Sequence, residues 1–260
     1  MNKNAPIGIF DSGVGGITVL GRAVELLPEE NFIYFADSAH FPYGDQSLSE
    51  VREHVFSAAD RMAAKGIKML VVACNTATAA AINDLRERYD FPVLGIEPAL
   101  KPAVEAENSG TIAVIATSLT LREAKFQRLF HRYEKKGKIL NLPAVGLADL
   151  VEQGHYQDDI GRDYLHRLFQ GVYADTVVLG CTHYLFMEPL IRELFPSAKI
   201  IDGGEGLARN IVRVLTQREL LGENGGKVEV MSSSELFLPR FDGFFSDIRS
   251  ILKALPHKMD

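Results

Sequence analysis

The feature that most limits the fold of this chain is a rhythm. Short, near-continuous apolar runs alternate with longer amphipathic stretches along almost its whole length. Ile7–Phe10, Phe32–Phe35, Met69–Ala73 and Val93–Ile96 each read as a buried strand bounded by Asp, Ser, Pro or Gly. Between them, Ile17–Leu27, Leu48–Ala64 and Ala77–Tyr89 carry helical spacing. The same beat resumes with Ile112–Ala116, Ile139–Leu142, Thr176–Leu179 and Lys199–Ile201. A strand that is apolar at nearly every position has no face left for water. Such strands separated by helices imply an α/β fold, with mainly parallel sheets covered by helices on both sides. Ligands of such sheets bind beyond the carboxyl ends of the strands, so the residues that close each strand are the candidates for chemistry.

Those residues are small and polar: Asp11-Ser12, Asp37-Ser38, Cys74-Asn75-Thr76, Glu97, Thr117-Ser118, Cys181-Thr182-His183 and Asp202. They also repeat. Pairing Asp11 with Thr117, Cys74 with Cys181 and Glu97 with Asp202 gives offsets of 117 − 11, 181 − 74 and 202 − 97, that is 106, 107 and 105 residues. Two pseudo-symmetric α/β domains are therefore expected, each placing one cysteine at the same strand end, with the site in the cleft between them. Pro98 and Pro102 punctuate a boundary near Glu97–Lys101. After Gly203 come a helix, a turn at Gly222–Gly226, a short strand Lys227–Met231 and a last helix from about Phe241. That tail exceeds what a second unit needs and is expected to return to the first. The domains then read as 1–97 plus 208–260, carrying Cys74, and 98–207, carrying Cys181.

Composition removes several classes. With 260 residues, 47% of them hydrophobic, the chain is not of the disordered type. Two cysteines cannot frame a disulfide scaffold of this length. The most apolar stretch, Ile67–Ala73, is about a third of the roughly 20 residues that a membrane-spanning helix needs. Met1–Pro6 runs straight into an apolar strand with no long apolar leader, so a cytoplasmic, reducing location with free thiols is expected. A net charge of −6 argues against a nucleic-acid partner.

The cysteines are the most informative residues. A thiol between a strand and a helix sits at the positive end of the helix dipole, which favours thiolate. Asn75 and Thr76, like Thr182 and His183, add polar donors beside each sulfur. Asp11-Ser12-Gly13-Val14-Gly15-Gly16 also joins a strand to a helix, and its glycines would let the backbone approach an anion. It is neither G-x-G-x-x-G nor a Walker sequence, so a carboxylate is a better guest than a nucleotide phosphate. Pro42-Tyr43-Gly44 forms a turn that can present amides and a phenol to a small ligand. His183 can protonate or orient Cys181. His40, His54, His131, His155, His166 and His257 show no metal spacing, so no metal is expected. Two thiols facing one substrate suit proton transfer at a carbon stereocentre from opposite faces. Each would need its pKa brought toward neutrality.

Ile7-Gly-Ile-Phe-Asp-Ser-Gly-Val-Gly-Gly16, Asp37-Ser38 with Pro42-Tyr43-Gly44, Val72-Ala-Cys-Asn-Thr76 and Leu179-Gly-Cys-Thr-His183 together resemble the glutamate racemase family from Ile7 to about Gly206. The resemblance implies a cofactor-independent isomerase that interconverts L- and D-glutamate and supplies D-glutamate for bacterial peptidoglycan. It implies Cys74 and Cys181 as the acid/base pair, with Asp11 assisting Cys74, and Glu152 and His183 assisting Cys181. Asp11, Ser12, Pro42, Tyr43, Gly44, Asn75, Thr76, Thr117, Thr120, Thr182 and His183 match substrate-binding positions. The implied partner is glutamate, with a homodimer left open. The chain departs from the family where Glu123 and Phe126 replace a Ser and a Tyr, and where Leu142-Pro143 replaces a Cys-Pro pair.

Other readings stay open at this level. An aspartate racemase or a related two-cysteine racemase could share the scaffold. An amino-acid binding module would make the cysteines incidental. A thiol-redox protein is disfavoured by the missing Cys-x-x-Cys.

Overall fold

The computed structural model describes residues 2–105, 110–134, 137–223 and 225–254. Residue 224 of the expected turn, His257 and the last six positions of the expected first domain lie outside them.

Among the described residues, nine strands form two parallel sheets. They are β1 (Ile7–Asp11), β2 (Phe32–Ala36), β3 (Met69–Val72), β4 (Val93–Gly95), β5 (Thr111–Ala116), β6 (Lys138–Pro143), β7 (Thr176–Leu179), β8 (Lys199–Asp202) and β9 (Val228–Ser232). The helices are α1 (Ile17–Leu26), α2 (Leu48–Ala63), α3 (Asn75–Arg88), α4 (Leu100–Glu105), α5 (Ser118–Arg122), α6 (Ala124–Tyr133), α7 (Leu147–Glu152), α8 (Asp159–Leu168), α9 (Glu188–Leu194), α10 (Gly204–Gln217) and α11 (Phe241–Ala254).

The first sheet runs β4-β3-β1-β2-β9 and the second β6-β5-β7-β8, with every neighbouring pair parallel. Without β9 the two orders are one order. The first strand of each half sits between its second and third, and the fourth lies outside the third. The offsets found in the sequence therefore correspond to a repeated topology, with β3 and β7 in equivalent places and a cysteine beyond each.

The strands form where the apolar runs predict because both their faces are enclosed. All five residues of β1 are buried. Ile7 and Ile9 join one core cluster and Phe10 another, on opposite sides of the first sheet. Small polar residues at the strand ends then cap the helices that follow. Cys74 accepts from the Ala77 amide at the start of α3, and Thr117 from the Thr120 amide in α5. Ser47 opens α2 through a reciprocal capping box with Glu50.

The tail packs against the first sheet. β9 pairs with β2 from Phe32↔Val228 to Ala36↔Ser232, while α10 and α11 pack on α1. α10 runs unbroken from Gly204 to Gln217, across 207/208, and packs on α1. The tail is also anchored at the opposite end of the sheet from the cysteines. Fully buried Lys68 ion-pairs with Glu30 at 2.5 Å and donates to the Leu220 carbonyl at 2.8 Å, and the Gly222 amide donates to Glu30 at 2.7 Å. Among the described residues no helix is long and apolar enough to cross a membrane.

Candidate active site

A cleft of about 430 Å³, counted with its open mouth, lies between the halves beyond the carboxyl ends of the strands. Its walls include Ser12, Pro42, Tyr43, Gly44, Cys74 and Thr76 from the first half, and Thr117, Cys181 and His183 from the second. Nine of the residues expected from sequence thus come together at one opening. Both cysteines are free thiols.

Cys74 is buried, with its sulfur 3.4 Å from the Ala77 amide and 3.7 Å from the Ser12 hydroxyl. The expectation that the helix start draws this thiol toward neutrality is overturned. Burial pushes its pKa up to about 12, and the charge of Asp11 adds to the rise. The Ala77 and Ser12 hydrogen bonds oppose this but are outweighed. In this state Cys74 holds its proton. Asp11 is itself enclosed at the end of β1, and burial raises its carboxyl to about 6 against the pull of His183. It accepts from the Gly13 amide at 3.0 Å and from the Thr182 hydroxyl at 3.0 Å.

The second half-site is built differently. His183 lies buried in the 3₁₀ segment Thr182–Met187, between two partners. Its Nδ1 is 3.8 Å from the Cys181 sulfur and its Nε2 is 3.0 Å from Glu152 Oε1. Burial alone would lower the imidazole pKa, but Cys181 and Glu152 together hold it well above its ordinary value. Burial likewise disfavours the Glu152 carboxylate, and here the His183 contact, the Val14 amide and Arg240 win, keeping it below its usual range. Glu152 and His183 form a charged pair, with the cationic ring against the Cys181 sulfur.

The glycine-rich turn cradles a carboxylate, as its composition suggests, but the guest is the protein's own. The Val14 amide donates to Glu152 Oε1 at 2.7 Å, and the Gly13 amide to Asp11. The glycines are required by close approach across the cleft base. A Cβ on Gly13 would strike Glu152, one on Gly15 would strike Thr182 and His183, and one on Gly16 would lie 2.5 Å from Asp11 Cβ.

Four expected binding residues do not line the cleft. Asp11 and Thr182 are spent on each other beneath it. Asn75 and Thr120 face a smaller neighbouring pocket, whose lining includes Phe126, one of the departures from the family pattern. The Asn75 amide oxygen is buried without a partner among the described residues. Thr120 joins Thr76 and Thr117 in a hydroxyl cluster, at 3.2 and 2.9 Å, that links the halves. Conversely, Asp45, Asp149 and Tyr184 line the cleft unforeseen, beside Phe41 and the strand-end residue Ser118. Asp149 stands three residues before Glu152 on α7, a spacing that sequence reading could have used. Arg240, from the far tail, lies 3.7 Å from Glu152 Oε2, and nothing local signals it.

The chain belongs to the Asp/Glu/hydantoin racemase family, whose model matches residues 18–211. Within that family it is an amino-acid isomerase of the glutamate racemase type. A glutamate racemase of Clostridium botulinum is 48% identical over 239 residues, covering 90% of this chain and 93% of the relative. A solved glutamate racemase isoform from Bacillus anthracis superposes with a TM-score of 0.82 at 29% identity, over 100% of this chain and 97% of that one. A glutamate racemase from Francisella tularensis, solved in complex with D-glutamate, superposes with a TM-score of 0.81 at 25% identity over 94% of each chain.

Proposed function

We propose that the cleft interconverts L- and D-glutamate by a two-base route in which Cys74 and Cys181 address opposite faces of Cα. The observation that carries this reading is the position of the sulfurs. Each follows the equivalent strand of a repeated topology, and both line one cleft from different halves. One thiolate takes the Cα proton, and the C–H electron pair stays on the substrate, delocalised into its carboxylate. The other thiol then delivers its proton to the far face, and the thiol and thiolate have exchanged places. Nothing is oxidised or reduced, so the balance calls for no cofactor.

The resting state is asymmetric. Cys74 holds its proton, and Cys181 stands beside the His183 ring, its sulfur 3.8 Å from Nδ1. By the family resemblance Cys181 serves L-glutamate and Cys74 serves D-glutamate. Hydroxyls of Ser12, Thr76 and Thr117 and the Pro42-Tyr43-Gly44 turn are the groups available to the substrate's polar ends. The D-glutamate complex of the Francisella relative supports glutamate as the substrate. We assign residues 1–97 and 204–260 to one domain and 98–203 to the other, the later boundary moved to the start of α10. Two free thiols at the site suit a reducing compartment, so we place the enzyme in the cytoplasm, making D-glutamate for peptidoglycan. Circular dichroism of L-glutamate incubated with the purified protein tests the reading. The signal should decay to zero without added cofactor. A steady signal, or decay only with added pyridoxal phosphate, would overturn it.

A further inference from the structure

The pair Asp37-Ser38 closes a strand like the other polar pairs, yet neither residue is among those that line the cleft. Asp37 follows β2 and is buried. Its amide donates to the Asp11 carbonyl at 2.9 Å, which ties it to the end of β1 beside the site. Its carboxylate faces the turn that walls the cleft. The Tyr43 hydroxyl donates to Oδ2 at 2.5 Å, and His40 Nδ1 lies 2.9 and 3.0 Å from the two oxygens. Burial and the Asp37 charge both raise the Tyr43 phenol, so it keeps its proton and is the donor.

The turn needs such a tether. Short 3₁₀ segments hold their backbone bonds in poor geometry. In Tyr43–Asp45 the closing bond, from the Gln46 amide to the Tyr43 carbonyl, is 3.4 Å, longer than the roughly 3.0 Å of an ordinary N–H···O bond. Tyr43 and Gly44 are nonetheless buried, and Gly44 approaches the second half so closely that a Cβ on it would lie 2.9 Å from Thr117 Cβ. A shift of the turn one way strikes Thr117, and a shift the other way opens the cleft. What fixes it is the Tyr43 ring, packed 6.4 Å from the Phe10 ring between centroids and held at its tip by Asp37. Backbone amides in such a turn are donors for a carboxylate only while their aim is kept.

We propose that Asp37 is a positioning residue for substrate binding. Through the Tyr43 hydroxyl it holds the Pro42-Tyr43-Gly44 turn against Thr117, where the turn receives one carboxylate of the substrate. On the glutamate reading above, on which this rests, Asp37 does not touch the substrate. It acts on binding and not on proton transfer at the sulfurs.

Steady-state kinetics with L- and D-glutamate test this. Tyr43→Phe removes only the hydroxyl. It should raise KM for both enantiomers by about 10-fold, because the substrate must then order a turn that the bond to the carboxylate had held. The turnover number should stay within about 3-fold, since binding is lost equally from ground and transition states. Asp37→Ala should do the same, and Asp37→Ala/Tyr43→Phe should be no worse than either alone, because all three lack one shared contact. Asp37→Asn keeps an acceptor for the hydroxyl and should recover most of the affinity. If Asp37→Ala does not fold, Tyr43→Phe and Asp37→Asn still decide. A fall in kcat at unchanged KM, additive losses in the double variant, or unaltered kinetics in Tyr43→Phe would overturn the proposal while the unaltered chain racemises. An unaltered chain that does not racemise glutamate would overturn the reading above, and the proposal with it.

Discussion

The backbone amide of Val14 donates to the side chain of Glu152 at 2.7 Å, across the base of the cleft. The turn after β1 in one half thereby holds the carboxylate that holds His183 in the other. A movement that parts the halves at this point breaks both this contact and the Asp11–Thr182 hydrogen bond.

Gly15→Ala tests how tightly that base is packed. The added methyl would meet Thr182 and His183. Turnover should fall by more than about 100-fold, as expected when catalytic groups are displaced by about 1 Å. Thermal unfolding and far-ultraviolet circular dichroism should report a folded chain. Unchanged kcat would show that His183 needs no fixed position.

Asp11 makes stability depend on pH in an unusual direction. Its carboxyl goes from 3.8 when free to about 6 when folded, so between those values the folded chain binds more protons than the unfolded one. Its contribution therefore weakens stability as pH rises through that window, by roughly 3 kcal/mol in all. Asp11→Asn should remove this slope in melting temperature between about pH 4 and 6. It should also speed alkylation of Cys74 at alkaline pH, because the Asp11 charge is the second cause, after burial, that holds the thiol up. An unaltered slope and alkylation rate would refute the assignment.

Cys74→Ser and Cys181→Ser should each lose racemisation by orders of magnitude, because serine is a far weaker base. A glutamate analogue that eliminates after a single proton abstraction separates the half-reactions. Each variant should process one enantiomer and fail on the other. Equal loss on both enantiomers in both variants would leave the acid/base role to other residues.

Lys68→Met should destabilise the chain by about 3–5 kcal/mol, since Glu30 would be left buried and uncompensated. The double variant Lys68→Met/Glu30→Gln should recover much of this in denaturant melts. If both unfold alike, the pair does not anchor the tail.

What the sequence made legible was local. Apolarity on both faces marks a strand wherever it lies, and Cys74, Cys181, Asp11 and His183 were found because strand ends in parallel sheets point to the ligand side. What escaped depends on enclosure or on distant chain. Cys74 looks activated by its helix, but its pKa follows burial, and burial is set by the other half of the molecule. Asn75 adjoins Cys74 in sequence, yet one step around a helix turns it into another pocket. Gly13 and Val14 read as donors for a ligand until Glu152, 138 residues after Val14, takes the place.

The repeated strand order has a consequence for rates. Mirror-image amino acids have equal free energy in water, so the equilibrium constant of their interconversion is one. The ratio kcat/KM must therefore be the same for both enantiomers, however unlike their paths across the cleft. On the proposed two-base route, a fold that presents the same strand end twice gives each enantiomer its own sulfur. The unlike neighbours, a carboxyl beside one and an imidazole beside the other, can then change kcat/KM only by the same factor for both hands. Evolution of either flank can make one hand saturate earlier or turn over faster, but it cannot make the enzyme one-way. Net flow toward D-glutamate must come from whatever consumes it.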